Sequence, residues 1–168
     1  KQAIDRLKAR HQRPLIFAPK KYLEELTDPE DCTGHYGHST RARNDDAYMA
    51  ADAIILDGMH QARATNRLMY LGAVRDSSEP VPFNSNATEV REYEGTGKGR
   101  IIRGHPDPDA AEVLEATWSI EVHQAIGRAR LALREPEAEV LVVYLLCARP
   151  VAGLHVDELT TVAALLGS

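Results

Sequence analysis

Apolar residues along this chain gather into short unbroken runs, and segments with helical spacing separate the runs. Leu15-Ile16-Phe17-Ala18, Ala53-Ile54-Ile55-Leu56 and residues 140–146 are such runs. Their length suits strands covered on both faces. Residues 140–146 form the most apolar run and are expected to lie centrally in a sheet. Residues 1–10 read as a helix through Ile4 and Leu7, and residues 20–26 as a helical turn. A short helix is expected at about 45–50, and another over 61–72 that stops at Gly72. A long helical run starts at Pro108 or Asp109 and continues to about 133, with a break near Ser119. A last helix spans 156–166, with Asp157 and Glu158 in its first turn, where the helix dipole favours acids. Residues 27–37 and 76–87 read as loops.

Strands alternating with helices predict an α/β fold, with a mostly parallel sheet flanked by helices and right-handed crossovers. One segment departs from that pattern. Residues 88–94 and 99–104 alternate around Gly95-Thr96-Gly97-Lys98-Gly99, which predicts an inserted β-hairpin. The same five residues are not a Walker A loop. That motif needs a Ser or Thr after its lysine, a buried strand before it and a helix after it, whereas Gly99 and Arg100 follow Lys98.

The 168 residues are enough for one domain with a real core and too few for two motor-sized domains. A hydrophobic share of 43% and a charged share of 27% are ordinary for a globular chain. The net charge of −5 means that any nucleic-acid contact must be local or shared with another domain. Cys32 and Cys147 make no disulfide framework, which fits a reducing cytoplasm. No signal peptide or membrane-length apolar run is present in the sequence. Cys32, His35 and His38 have the spacing of half a zinc site, but no further pair stands at ligand spacing, so no metal is expected. The chain opens at Lys1 and is expected to be part of a larger protein.

The most informative stretch is Gln124-Ala125-Ile126-Gly127-Arg128-Ala129-Arg130. Two guanidiniums near a helix end beside a buried strand suit the terminal phosphates of a nucleotide, because arginine keeps its charge and its fork of donors matches phosphate oxygens. The stretch resembles motif VI of superfamily 2 helicases, Q-x-x-G-R-x-x-R. Gln124, Gly127 and Arg128 fall in register; Leu131 stands where the last arginine belongs, leaving Arg130 and Arg134 as rivals. Arg41-Ala42-Arg43-Asn44, ahead of the 53–56 run, is similar to R-G-x-D of motif V. As a plain reading, Asn44 would only cap the short helix. Pro14-Leu15-Ile16-Phe17-Ala18-Pro19-Lys20 looks like the first strand of a second motor domain. The hairpin, the His105-Pro106-Asp107-Pro108 turn and the Gln124–Arg128 run follow the order seen in phage- and plasmid-associated bacterial helicase-like proteins, and the likeness covers about residues 34–150.

This resemblance implies a RecA-like, P-loop NTPase-like fold and the role of the second motor domain of an ATP-dependent helicase. It implies ATP with Mg2+ as cofactor, shared with an upstream motor domain of the same protein that carries the Walker motifs. Arg128, Arg130 and Gln124 are then the catalytic candidates, while Gly127, Arg134 and Asn44 lie against the nucleotide. Thr40, Arg41 and Arg43 would meet the backbone of single-stranded or duplex DNA, or of RNA. No membrane contact is implied. Two other readings stay open. One is a non-catalytic α/β interaction module derived from such a domain. The other is an α/β enzyme binding a small molecule at His35, His38 and Asp57.

Overall fold

The strand β1 (Pro14–Ala18) lies between β2 (Cys32–His35) and β3 (Ala53–Asp57), and β6 (Val142–Leu146) lies outside β3. All three pairings in this four-stranded sheet are parallel. The computed structural model describes residues 1–35, 46–58, 64–75, 81, 87–129, 134 and 140–167. The chain divides into two compact units. The sheet unit comprises Lys1–His60, Glu121–Cys147 and Thr160–Ser168; the hairpin unit comprises Gln61–Ile120 and Ala148–Leu159.

The two central strands bury almost every side chain, as their unbroken apolar runs require. The register fixes which residues share a face. Leu15, Ile16 and Phe17 pair with Ile54, Ile55 and Leu56, so Ile16 and Ile55 share one face and Phe17 and Leu56 the other. On the first face, Ile16 and Ile55 pack with Ile4 and Leu7 of α1 (Gln2–Lys8) and with Leu165 of α6 (Val162–Leu166). On the second face, Phe17 meets Tyr48 of α3 (Asp46–Met49), their ring centroids 6.2 Å apart. Helices therefore cover both faces. Asp52, just before β3, accepts the backbone N–H groups of Gln12 at 2.7 Å and Arg13 at 3.0 Å, which ties the entry of β1 to that of β3.

In the hairpin unit, β4 (Thr88–Tyr93) and β5 (Lys98–Arg103) pair antiparallel around a turn in which Gly95 and Gly97 take φ of 90° and 64°. The long helix α5 (Pro108–Gly127) begins at a proline, with Asp107 as its cap. The Asp107 carboxylate accepts from the N–H groups of Asp109 and Ala110 at 3.0 and 3.1 Å. It also pairs with Arg75, just past α4 (Ala64–Val74). Glu115 is buried between Arg91 and Arg149, at 3.0 and 2.8 Å, and also accepts from Ser119.

Several sequence expectations are corrected here. Residues 140–146 do not form a central strand: β6 is at the edge of the four described strands, with Val142 38% exposed. None of the β6 residues is buried, so here apolar composition reports neither full coverage of the faces nor the place of the strand in the order. Residues 32–35, read as loop, form β2, because Gly34 has no side chain to exclude the Phe17 ring beside it. Gly72 does not stop α4 but is helical and buried within it. The helix α5 runs without a break through Ser119, whose hydroxyl donates to Glu115 one turn earlier. The last helix starts only at Val162, where Thr161 caps the N–H of Ala164. Asp157 and Glu158 precede it, and Val156 gives its N–H to the Glu94 carbonyl at 2.8 Å instead of to a helix.

Candidate functional site

Chain order and strand order disagree at one point of the sheet. The chain leaves β1 for β2 on one side and returns to β3 on the other. In open parallel sheets the crevice at such a reversal, outside the carboxyl ends of the strands, is where ligands bind. Phe17 is the penultimate residue of β1, and Asp57 is the last of β3.

The end of α5 reaches the Phe17 face. Val122, Ala125 and Ala129 recur at helical spacing and are buried. Alanine at two of these positions lets the helix end pack closely. Gln124, Gly127 and Arg128, three and four residues apart, share the neighbouring face. Gln124 and Gly127 are exposed and Arg128 is half-buried. The last turn tightens, with Arg128 N–H donating to Ala125 at 3.3 Å and Ala129 N–H to Ile126 at 3.1 Å.

The Arg128 guanidinium lies over the Phe17 ring, 5.4 Å from its centroid. Among the described residues Arg128 makes no ion pair with a carboxylate. Stacking uses the face of the guanidinium and leaves its in-plane N–H donors for oxygen ligands. The ring has a defined seat. Gly34 sits opposite Phe17 in the register, and a Cβ there would come within 2.3 Å of Phe17 Cε1. Tyr48, whose ring is 6.2 Å from that of Phe17, donates its hydroxyl to the Thr33 carbonyl at 2.9 Å. Sequence reading took Phe17 only as core. Its partnership with Arg128, 111 positions on, leaves no local signature.

Arg134 is used differently. Its Nε donates to the Ala129 carbonyl at 3.2 Å and its Nη2 to the Ala51 carbonyl at 2.5 Å. It closes the end of α5 and ties it to the entry of β3, with Nε and Nη2 engaged by backbone carbonyls. Among the described residues nothing crowds Gly127: a Cβ there meets no atom within 4 Å. The space beside it is open to a group from outside. Arg130, Thr40, Arg41, Arg43 and Asn44 lie outside the described residues.

Asp57 is half-buried, and burial pushes its carboxyl above the usual range, with the chain's amino terminus pulling weakly the other way. By strand alternation it belongs with Ile55, on the face opposite Phe17 and Arg128. Cys32 opens β2 and His35 closes it, while His38 lies outside the described residues. Among the described residues no group of three His, Cys, Asp or Glu side chains could hold a metal ion. The hairpin unit has an open cavity of about 640 Å³, lined by Arg91, His105, Glu112, Glu115 and Ser119 among others; Gln124, Gly127, Arg128 and Arg134 do not line it. No described helix is long and apolar enough to cross a membrane.

The fold is that of an α/β protein with a parallel sheet, and Arg128 lies over the ring of Phe17 in one of its central strands. Comparison with family models, with curated proteins and with solved structures finds no match for the chain.

Proposed function

We propose that this chain is the second, RecA-like motor domain of an ATP-dependent nucleic-acid helicase or translocase, with Arg128 as the arginine finger of a composite ATP site. The observation that carries the reading is Arg128 itself: a cation with no carboxylate partner among the described residues, lying over the ring of Phe17, the penultimate residue of a central strand of the parallel sheet. A guanidinium so held is spared reorganisation when charge develops on a transferring phosphoryl group. The donor set fits one part of a nucleotide site. It offers cations and Gln124 for the terminal phosphates, whereas the Walker lysine and the Mg2+-binding carboxylates are expected from the upstream motor domain. In this reading Arg128 stabilises the γ-phosphate, Gln124 orients the attacking water, and the open side of Gly127 admits the nucleotide. Arg130 and Asn44 contribute to the same site, and Thr40, Arg41 and Arg43 follow the nucleic-acid backbone by phosphate contacts.

The test is ATP hydrolysis by the intact protein, with and without single-stranded DNA, for wild type and Arg128→Ala. Loss of DNA-stimulated turnover in a variant that melts normally supports the motor. Unchanged turnover, or none in either protein, overturns it and leaves the non-catalytic interaction module, which the net charge of −5 suits better.

A further inference from the structure

We infer that Phe17 is a positioning residue for Arg128: its ring, seated against Gly34 and Tyr48, sets the direction from which the guanidinium meets phosphate. The inference rests on the motor reading and deepens it. A long arginine side chain with no ion pair samples many rotamers, and ordering it at the moment of reaction opposes turnover. The aromatic face removes part of that disorder beforehand. The stacked cation is attracted by the ring quadrupole and keeps its edge donors free. A carboxylate in the same place would hold the arginine as firmly but would compete with phosphate for those donors.

The geometry of the seat supports a tuned position rather than casual core packing. Phe17 is 1% exposed, so its ring is fixed by its neighbours. Gly34 is needed beside it, since any Cβ would overlap the ring at 2.3 Å. Tyr48 stands 6.2 Å away, tilted by 53°, and its hydroxyl is anchored on Thr33, the residue before Gly34. Strand β2, helix α3 and the end of α5 thus converge on one ring, and the α5 contact brings a charge.

The experiment is a double-mutant cycle in the intact protein, reading ATP turnover with Phe17→Leu, Phe17→Tyr, Arg128→Ala and the Phe17→Leu/Arg128→Ala pair, each checked for its melting temperature. Phe17→Leu removes the quadrupole. It is expected to lower kcat about tenfold with an unchanged KM for ATP, and to have no further effect once Arg128 is gone. Phe17→Tyr keeps the π-face and is expected to stay within about twofold of wild type. If Phe17→Leu does not hold its fold, Gly34→Ala, which displaces the ring, and Tyr48→Leu, which loosens it, take its place in the cycle. Full turnover in the Phe17 variant while Arg128→Ala is inactive overturns the positioning role and leaves the finger. Equal losses in the presence and absence of Arg128 also overturn it, because the ring then acts only through the core. Full turnover in Arg128→Ala itself refutes the motor reading beneath both.

Discussion

Arg134 donates to the carbonyl oxygen of Ala51 at 2.5 Å, while its Nε holds the carbonyl of Ala129 at 3.2 Å. One side chain therefore joins the residue two places before β3 to the turn that follows α5. Carbonyls at a helix end have no intrahelical donor, and an arginine reaching back to them is a common way of satisfying them. The expected consequence is structural. Arg134→Ala should cost about 1.5–3 kcal/mol, as charge-assisted hydrogen bonds do, visible as a lower urea midpoint with an unchanged slope. A variant as stable as wild type but unable to hydrolyse ATP would return Arg134 to the nucleotide.

Gly127 separates folding from function. As the last residue of α5, with open space where a Cβ would stand, it gives the fold no reason to avoid alanine. Gly127→Ala should leave stability unchanged or raise it by up to about 1 kcal/mol. If the space admits a nucleotide, turnover should fall in the same variant. Urea denaturation and ATP hydrolysis on one preparation decide it; unchanged turnover would show that nothing approaches there.

Glu115 is the electrostatic centre of the hairpin unit, clamped by Arg91 and Arg149, with Arg149 also stacked 5.0 Å from the Trp118 ring centroid. Removing one member of a buried ion group leaves the others uncompensated. Glu115→Ala should destabilise by about 3–5 kcal/mol, and Glu115→Gln by less because it keeps a hydrogen-bond acceptor. Hydrogen exchange should show the loss concentrated in residues 87–104. Uniform loss across the β1 and β3 amides would contradict a local role.

Two carboxylates give opposite pH dependences. Hydrogen bonding from Arg75, reinforced by the Ala110 N–H, holds Asp107 well below its usual range. Its contribution is present above the ordinary aspartate value and is lost as pH falls towards the depressed one. Asp107→Asn should therefore flatten the loss of stability below about pH 4 while keeping the helix cap. Asp57 runs the other way: burial raises it, so the folded state holds its proton longer and stability declines as pH rises from the ordinary value through the raised one. Asp57→Asn should remove that decline. Melting temperatures between pH 3 and 7 test both signs.

Much of the sheet is legible in the sequence. The runs at Leu15–Ala18 and Ala53–Leu56 became the central strands, since residues buried on both faces have no choice but to be apolar. The hairpin followed from alternation around a glycine-rich turn, and Pro108 after Asp107 marked the start of α5. The edge position of β6 was not legible. Nor was the strand at Cys32–His35, whose composition is that of a loop and whose pairing depends on β1 beside it.

Of the candidate site, the sequence determined the residue types and their spacing: Gln124 and Gly127 share a helix face, because three-residue steps do so in an α-helix, and Arg128 follows in the turn that ends it. Which arginine lies over a ring and which is tied to backbone was decided only in three dimensions. Arg128 meets Phe17, and Arg134 meets Ala51, across 111 and 83 positions of chain. Such contacts depend on strand order and helix placement, which set distances that no local pattern encodes.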